Sequence, residues 1–161
     1  MTLYHGTNAD IELIDLTKGM RHKDFGKGFY VTPDKNTAIR MAQKKARLFG
    51  GVPTLITYEL DPVALQSDLK VKVFPEKACV EWFLFVDANR DKDTINPIHD
   101  FDIVIGPIAD NGLNKLFDKI DRKEASFEEI APQLKLIKFK ALQFCFKTEA
   151  AIKLLEYAKG K

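Results

Sequence analysis

Strand-like and helix-like segments follow one another along this chain without strict alternation, and that order most limits its fold. Short strand patterns fall at 3–5, 28–32, 54–60, 71–74, 103–105 and 139–146. Helical patterns begin at 34, with Ala38, Met41, Ala42 and Ala46 on one face, and stop at Gly50-Gly51. Further helices are predicted at 76–89, with Val80, Phe83, Leu84 and Val86 inward, and at 108–122, 127–136 and 149–158. Ser126 and Glu129 have capping-box spacing. Residues 8–23 read as irregular. Regular strand–helix alternation would predict a doubly wound parallel sheet; this mixed order predicts an α+β fold.

The chain has 161 residues and 45% hydrophobic content, enough for one domain over 1–161 with a sizeable core. A net charge of +2 neither requires nor excludes a nucleic-acid partner. No apolar run nears the roughly 18 residues of a membrane span. The opening Met1-Thr2-Leu3-Tyr4-His5 has neither the basic region nor the apolar run of a signal peptide. Cys79 and Cys145 lie far apart in apolar surroundings and match no metal spacing, so both are predicted to be buried, reduced thiols. These readings predict a cytoplasmic protein without a membrane partner. No metal site is predicted.

Two segments carry the chemistry. Leu3-Tyr4-His5-Gly6-Thr7 places a His-Gly pair on the first strand. Asp24-Phe25-Gly26-Lys27-Gly28-Phe29-Tyr30 places a Gly-x-Gly-aromatic-Tyr run before and on the second. Together they suit a slot for a flat, polar ring. Gly6 leaves its backbone N–H and C=O unshielded by a Cβ. His5 offers a ring nitrogen to a hydroxyl. Tyr30 offers a stacking face. Neighbouring strand residues point to opposite faces, so one of the Phe29 and Tyr30 rings can enter the core while the other meets a ligand. Gly26 and Gly28 fit either a plain turn or close passage over a ligand, and the spacing does not separate the two. Arg21, His22, Lys23 and Lys27 form a basic patch around Asp24. Arg90 suits a pyrophosphate partner or, as the simpler reading, an exposed helix end.

These motifs resemble the ADP-ribosyltransferase fold, in the branch shared by diphtheria toxin and the poly-ADP-ribose polymerases. The stretch Asp100-Phe101-Asp102-Ile103-Val104-Ile105-Gly106-Pro107-Ile108-Ala109-Asp110 extends the likeness. So does the closing Gln143-Phe144-Cys145-Phe146-Lys147-Thr148-Glu149-Ala150-Ala151-Ile152, which looks like a bacterial domain-of-unknown-function family with this fold. The resemblance implies split antiparallel sheets with flanking helices and NAD as co-substrate. It implies that Tyr30 stacks on nicotinamide, Gly6 holds its amide, and His5 and Thr7 hold the adenosine-side ribose. Asp24, Phe25, Gly26 and Gly28 would border the dinucleotide. Strand-to-strand matching puts Gln143 where the polymerase branch has a glutamate. That is a departure, because glutamine can orient a ribose but cannot act as a general base. Losing one preorganised electrostatic partner costs about 3–4 kcal/mol of transition-state stabilisation.

The resemblance therefore implies mono-ADP-ribosyl transfer to a protein or nucleic-acid acceptor, or NAD hydrolysis, rather than chain elongation. It also implies a toxin with a small antitoxin partner. Glu149 and Glu81 are alternative carboxylates, the first at a helix start where negative charge suits the dipole. The alternative from another class is a non-catalytic module of the same fold that binds NAD, ADP-ribose or a partner protein. An RNA 2′-phosphotransferase would require an arginine cluster, and only Arg21, His22 and Arg40 lie near the motifs. No Walker loop or nucleophile elbow occurs.

Overall fold

The computed structural model describes residues 1–109, 111–137 and 141–158, and the chain over these residues is α+β. Its seven strands are β1 (Thr2–Thr7), β2 (Phe29–Val31), β3 (Thr54–Glu59), β4 (Val71–Val73), β5 (Ile103–Pro107), β6 (Leu142–Phe146) and β7 (Glu156–Tyr157). The helices are α1 (Lys35–Phe49), α2 (Val80–Arg90), α3 (Asn111–Asp121), α4 (Phe127–Leu134) and the single turn α5 (Glu149–Ile152). Short 3-10 turns occupy Leu16–Lys18 and Pro62–Gln66. One sheet has the order β1-β3-β7, the other β2-β6-β5-β4. All pairings are antiparallel except β4 with β5.

The alternation of side chains along the second sheet makes two cores. Phe144 and Phe146 on β6, Ile103 and Ile105 on β5, and Val31 on β2 face the first sheet, where Leu3, Ile56 and Tyr58 meet them. The opposite face turns Tyr30, Val104 and Cys145 toward Trp82, Phe83 and Val86 of α2, Phe117 of α3, and Ile130 of α4. Helix α1 covers the outer face of β1. Asp34 caps it, accepting from Thr37 N–H at 2.8 Å. Ser126 and Glu129 close the expected capping box on α4.

Several predicted boundaries move. Residues 76–79 stay outside α2, and Cys79 begins it in extended conformation without a side-chain cap. Trp82, Phe83, Val86 and Asn89 are its buried positions, whereas Val80 and Leu84 are exposed. Met41 on α1 is also exposed. Helix 149–158 ends at Ile152, because the chain then forms β7 along β3, with Tyr157 edge-on to Tyr58 at 6.0 Å. Of the strand expected at 139–146, residues 142–146 are β6, and 139–140 lie outside the described residues. Cys79 is half-buried rather than buried; Cys145 is fully buried, and both thiols are free.

Gly6 marks the closest helix–strand approach. A Cβ there would lie 1.9 Å from Ala38 O and 2.9 Å from Ala42 N. The absent side chain makes room for α1, which differs from the sequence expectation of room for a ligand. Gly6→Ala must push the helix away. It should cost about 3 kcal/mol, or roughly 6–12 °C in Tm, in a thermal melt. An unchanged Tm would contradict this packing.

Candidate functional site

Strands β1 and β2 touch at one residue pair and then part. Tyr4 N–H donates to Thr32 O at 2.8 Å, and Thr32 N–H to Tyr4 O at 2.9 Å. Successive strand residues turn their N–H and C=O to opposite edges. Gly6 therefore presents its pair on the same edge as Tyr4, while His5 and Thr7 bond toward β3. A continued ladder would bring Gly6 opposite Tyr30. It does not continue. Gly6 is buried, yet neither its N–H nor its C=O has a hydrogen-bond partner among the described residues. Such orphaned backbone groups are rare in folded proteins.

His5 bridges the gap. Its ring stacks on Phe29, centroids 4.4 Å apart, and its Nδ1 lies 2.6 Å from Tyr30 O. A carbonyl only accepts, so Nδ1 carries the proton and Nε2 is left as an acceptor. Burial pushes the imidazole down to about 4, aided by the Lys45 ammonium; the bond to Tyr30 opposes this. His5 is thus neutral at physiological pH. Burial also lowers Lys45, and the neighbouring Lys23 adds to the shift. Neither lysine has a carboxylate partner among the described residues.

Tyr30 is a clamp on the loop before β2. Its hydroxyl donates to Gly26 O at 2.6 Å and accepts from Phe25 N–H at 3.0 Å. Its ring lies nearly parallel to Phe25, centroids 6.4 Å apart. Burial drives its pKa well up, with Cys145 contributing. Phe29 and Tyr30 point to opposite faces as expected, but both rings pack, one in each core.

Phe25 departs from its predicted place beside the ligand. It is fully buried under the Gly106 position of β5. Its N–H goes to Tyr30, and its carbonyl accepts from Lys147 Nζ at 2.9 Å and His99 Nε2 at 3.2 Å. Nothing of Phe25 is left for a ligand. Gly26 takes a left-handed φ of 79°. A Cβ on Gly28 would sit 2.5 Å from Cys145 Sγ, so its absence seats the loop against β6. These two glycines serve turn and packing, and both also line the cavity described below.

Asp24 and Gln143 meet although 119 positions separate them: Gln143 Nε2 donates to Asp24 Oδ2 at 2.8 Å. Arg90, expected at a solvated helix end, donates to Asp24 Oδ1 through Nε and Nη2 at 2.8 and 2.6 Å. Thr7 closes β1 and is buried. Arg90, His99 and Lys147 are the participants that sequence reading missed; long-range pairings leave no local spacing to find. Glu81 pairs with Lys72, and Glu149 sits in the first turn of α5 as its charge favours.

A family model for proteins of unknown function, DUF3990, matches residues 1–157. The chain belongs to that family. No curated protein and no solved structure matches it. The DUF3990 match takes in all of β1 to β7, and therefore His5, Asp24, Tyr30 and Gln143 alike.

A separate cavity of about 1050 Å³ lies between segments 16–28 and 94–101. Arg21, His22, Lys27, His99 and Lys147 line it, whereas His5, Tyr30 and Gln143 do not. Among the described residues no three His, Cys, Asp or Glu side chains gather to hold a metal, and no helix is long and apolar enough to cross a membrane.

The His5 shift has a testable sign. Above pH 6.5 the ring is neutral in the folded and unfolded chain. As pH falls toward 4, the unfolded chain takes a proton that the folded one refuses, so stability drops by at most about 3 kcal/mol, then levels. Imidazole nitrogen NMR should show a neutral Nδ1–H tautomer at pH 7, titrating near 4. Titration near 6.5 would contradict this environment.

Proposed function

We propose that this DUF3990 protein is a cytoplasmic NAD-dependent mono-ADP-ribosyltransferase acting on a macromolecule, as the toxin of a toxin–antitoxin pair. The observation that carries the reading is the buried N–H and C=O of Gly6, without a partner among the described residues, where β1 and β2 part. A carboxamide has one donor edge and one acceptor edge, and it satisfies both groups at once. Nicotinamide carries such a carboxamide on a flat ring. Tyr30 stands across the split, and the surface it leaves uncovered is the platform for that ring.

Bound NAD would supply an electrophilic ribose carbon with nicotinamide as leaving group. The chain's own residues hold and orient. His5, neutral and fixed through Tyr30 O, offers Nε2 to a ribose hydroxyl. Lys23 and Lys45, two ammonium groups without a carboxylate partner among the described residues, suit a diphosphate. Gln143, half-buried on β6, faces the same side of the sheet as Tyr30 and offers its amide to the other ribose. Rate enhancement then comes from positioning rather than from a general base. The toxin role and its antitoxin rest on the resemblance, which is association rather than physics.

The neutral Gln143 favours a second reading, in which the same fold binds NAD or ADP-ribose without turnover. Adenylate-labelled NAD with host lysate separates the two, using His5→Gln as control because glutamine can still donate to Tyr30 O. The transferase reading expects label in protein or nucleic acid, with at least a tenfold loss in the variant, of order 1.4 kcal/mol. Protease and nuclease treatment then name the acceptor class. Intact NAD that is nonetheless bound would leave the binding module in its place.

A further inference from the structure

Gln143 has no freedom in how its amide points. Its Nε2 donates to Asp24 Oδ2 at 2.8 Å and to Pro107 O at 3.2 Å. Both partners only accept, so the nitrogen faces inward and Oε1 outward. Among the described residues Oε1 has no partner. Asp24 is itself immobilised. Arg90 holds Oδ1 through two nitrogens, donates through Nη1 to Asn114 Oδ1 at 3.0 Å, and lies 4.6 Å over the Phe117 ring. The Asp24 side chain is only 14% exposed.

We propose that Asp24, locked by Arg90, selects an amide over a carboxylate at position 143 and so presents Gln143 Oε1 as an acceptor for a ligand hydroxyl. A glutamate there would set its carboxylate against the Asp24 carboxylate and the Pro107 carbonyl. With both carboxylates ionised the three acceptors would have no proton between them, and two like charges would stand at hydrogen-bond distance; relief would require taking up a proton. The amide donates to both neighbours instead and keeps one lone-pair oxygen for the ligand. Charge is thus placed at Asp24, where Arg90 neutralises it, rather than on the residue that faces outward. Asp24 and Arg90 are positioning residues. That the hydroxyl belongs to a ribose rests on the transferase reading; the choice of amide does not.

Thermal melts of the wild type, Gln143→Glu, Asp24→Asn and the double variant test the selection. Gln143→Glu should lower Tm by about 5–10 °C in the wild-type background. In the Asp24→Asn background the same change should cost less than about 2 °C, because the amide introduced by Asp24→Asn can donate to the new carboxylate. If Gln143→Glu alone does not fold, a cooperative melt regained in the double variant is the same rescue. An equal cost in both backgrounds, or no cost in the wild type, overturns the proposal. These melts need no NAD, so a wild type inert toward NAD removes the transferase reading without touching them. Where NAD is cleaved, Asp24→Ala should lower kcat about tenfold with little change in KM, and add nothing to Gln143→Ala. Additive losses would overturn the positioning role.

Discussion

The open Gly6 edge of the candidate site follows from one interrupted ladder. Two strands that exchange hydrogen bonds at Tyr4 and Thr32 would by default go on to pair Gly6 with Tyr30. They part because β1 stays with α1 and β3, while β2 stays with β6. Gly6 lies so close to Ala38 that only glycine fits, which ties β1 to the helix. Phe29, Tyr30 and Val31 pair with Phe146, Cys145 and Phe144, which ties β2 to the second sheet. The sheets share the core between them, and their edges diverge past its end. Divergence leaves a buried donor and acceptor side by side, and His5 takes up the one carbonyl that it can reach.

A second constraint sits on the Tyr30 face of the β2-β6-β5-β4 sheet. Asp24 joins three elements through one carboxylate: the loop before β2, the end of α2 through Arg90, and β6 through Gln143. Lys147 does similar work without a carboxylate partner among the described residues, donating to the carbonyls of Phe25 and Lys27, and burial lowers its pKa accordingly. His99 adds a third anchor to the same loop at Phe25 O. The Asp24–Gly28 loop is therefore held by side chains from distant parts of the chain, with its own aromatic ring buried. The direct pairing of β2 with β6 sets Tyr30 and Gln143 relative to each other, and these contacts hold the loop against both strands.

The fold class was legible because it depends on the order of local patterns, and most strands carry alternating or β-branched residues. The capping box at Ser126 and the stop at Gly50-Gly51 were legible for the same reason. The tail was not: Glu149 to Tyr157 has helical composition, and only the free edge of β3 makes a strand of its end. The candidate residues His5, Gly6 and Tyr30 could be picked out as types, but not their partners. Phe25 looked like a ligand neighbour because it stands beside Gly26, yet tertiary packing draws it inward. Gln143 could be placed by strand matching, whereas the Asp24 and Arg90 contacts that define its chemistry are invisible to any spacing rule.

The central claim is that the orphaned edge of Gly6 is a ligand site, and an amide-resolved NMR titration with NAD tests it most directly. The account predicts that the Gly6 N–H resonance moves downfield and its hydrogen exchange slows, together with shifts at His5 and Tyr30. Shifts confined to Asn96, His99 and Lys27 around the separate cavity, with Gly6 unmoved, would contradict it.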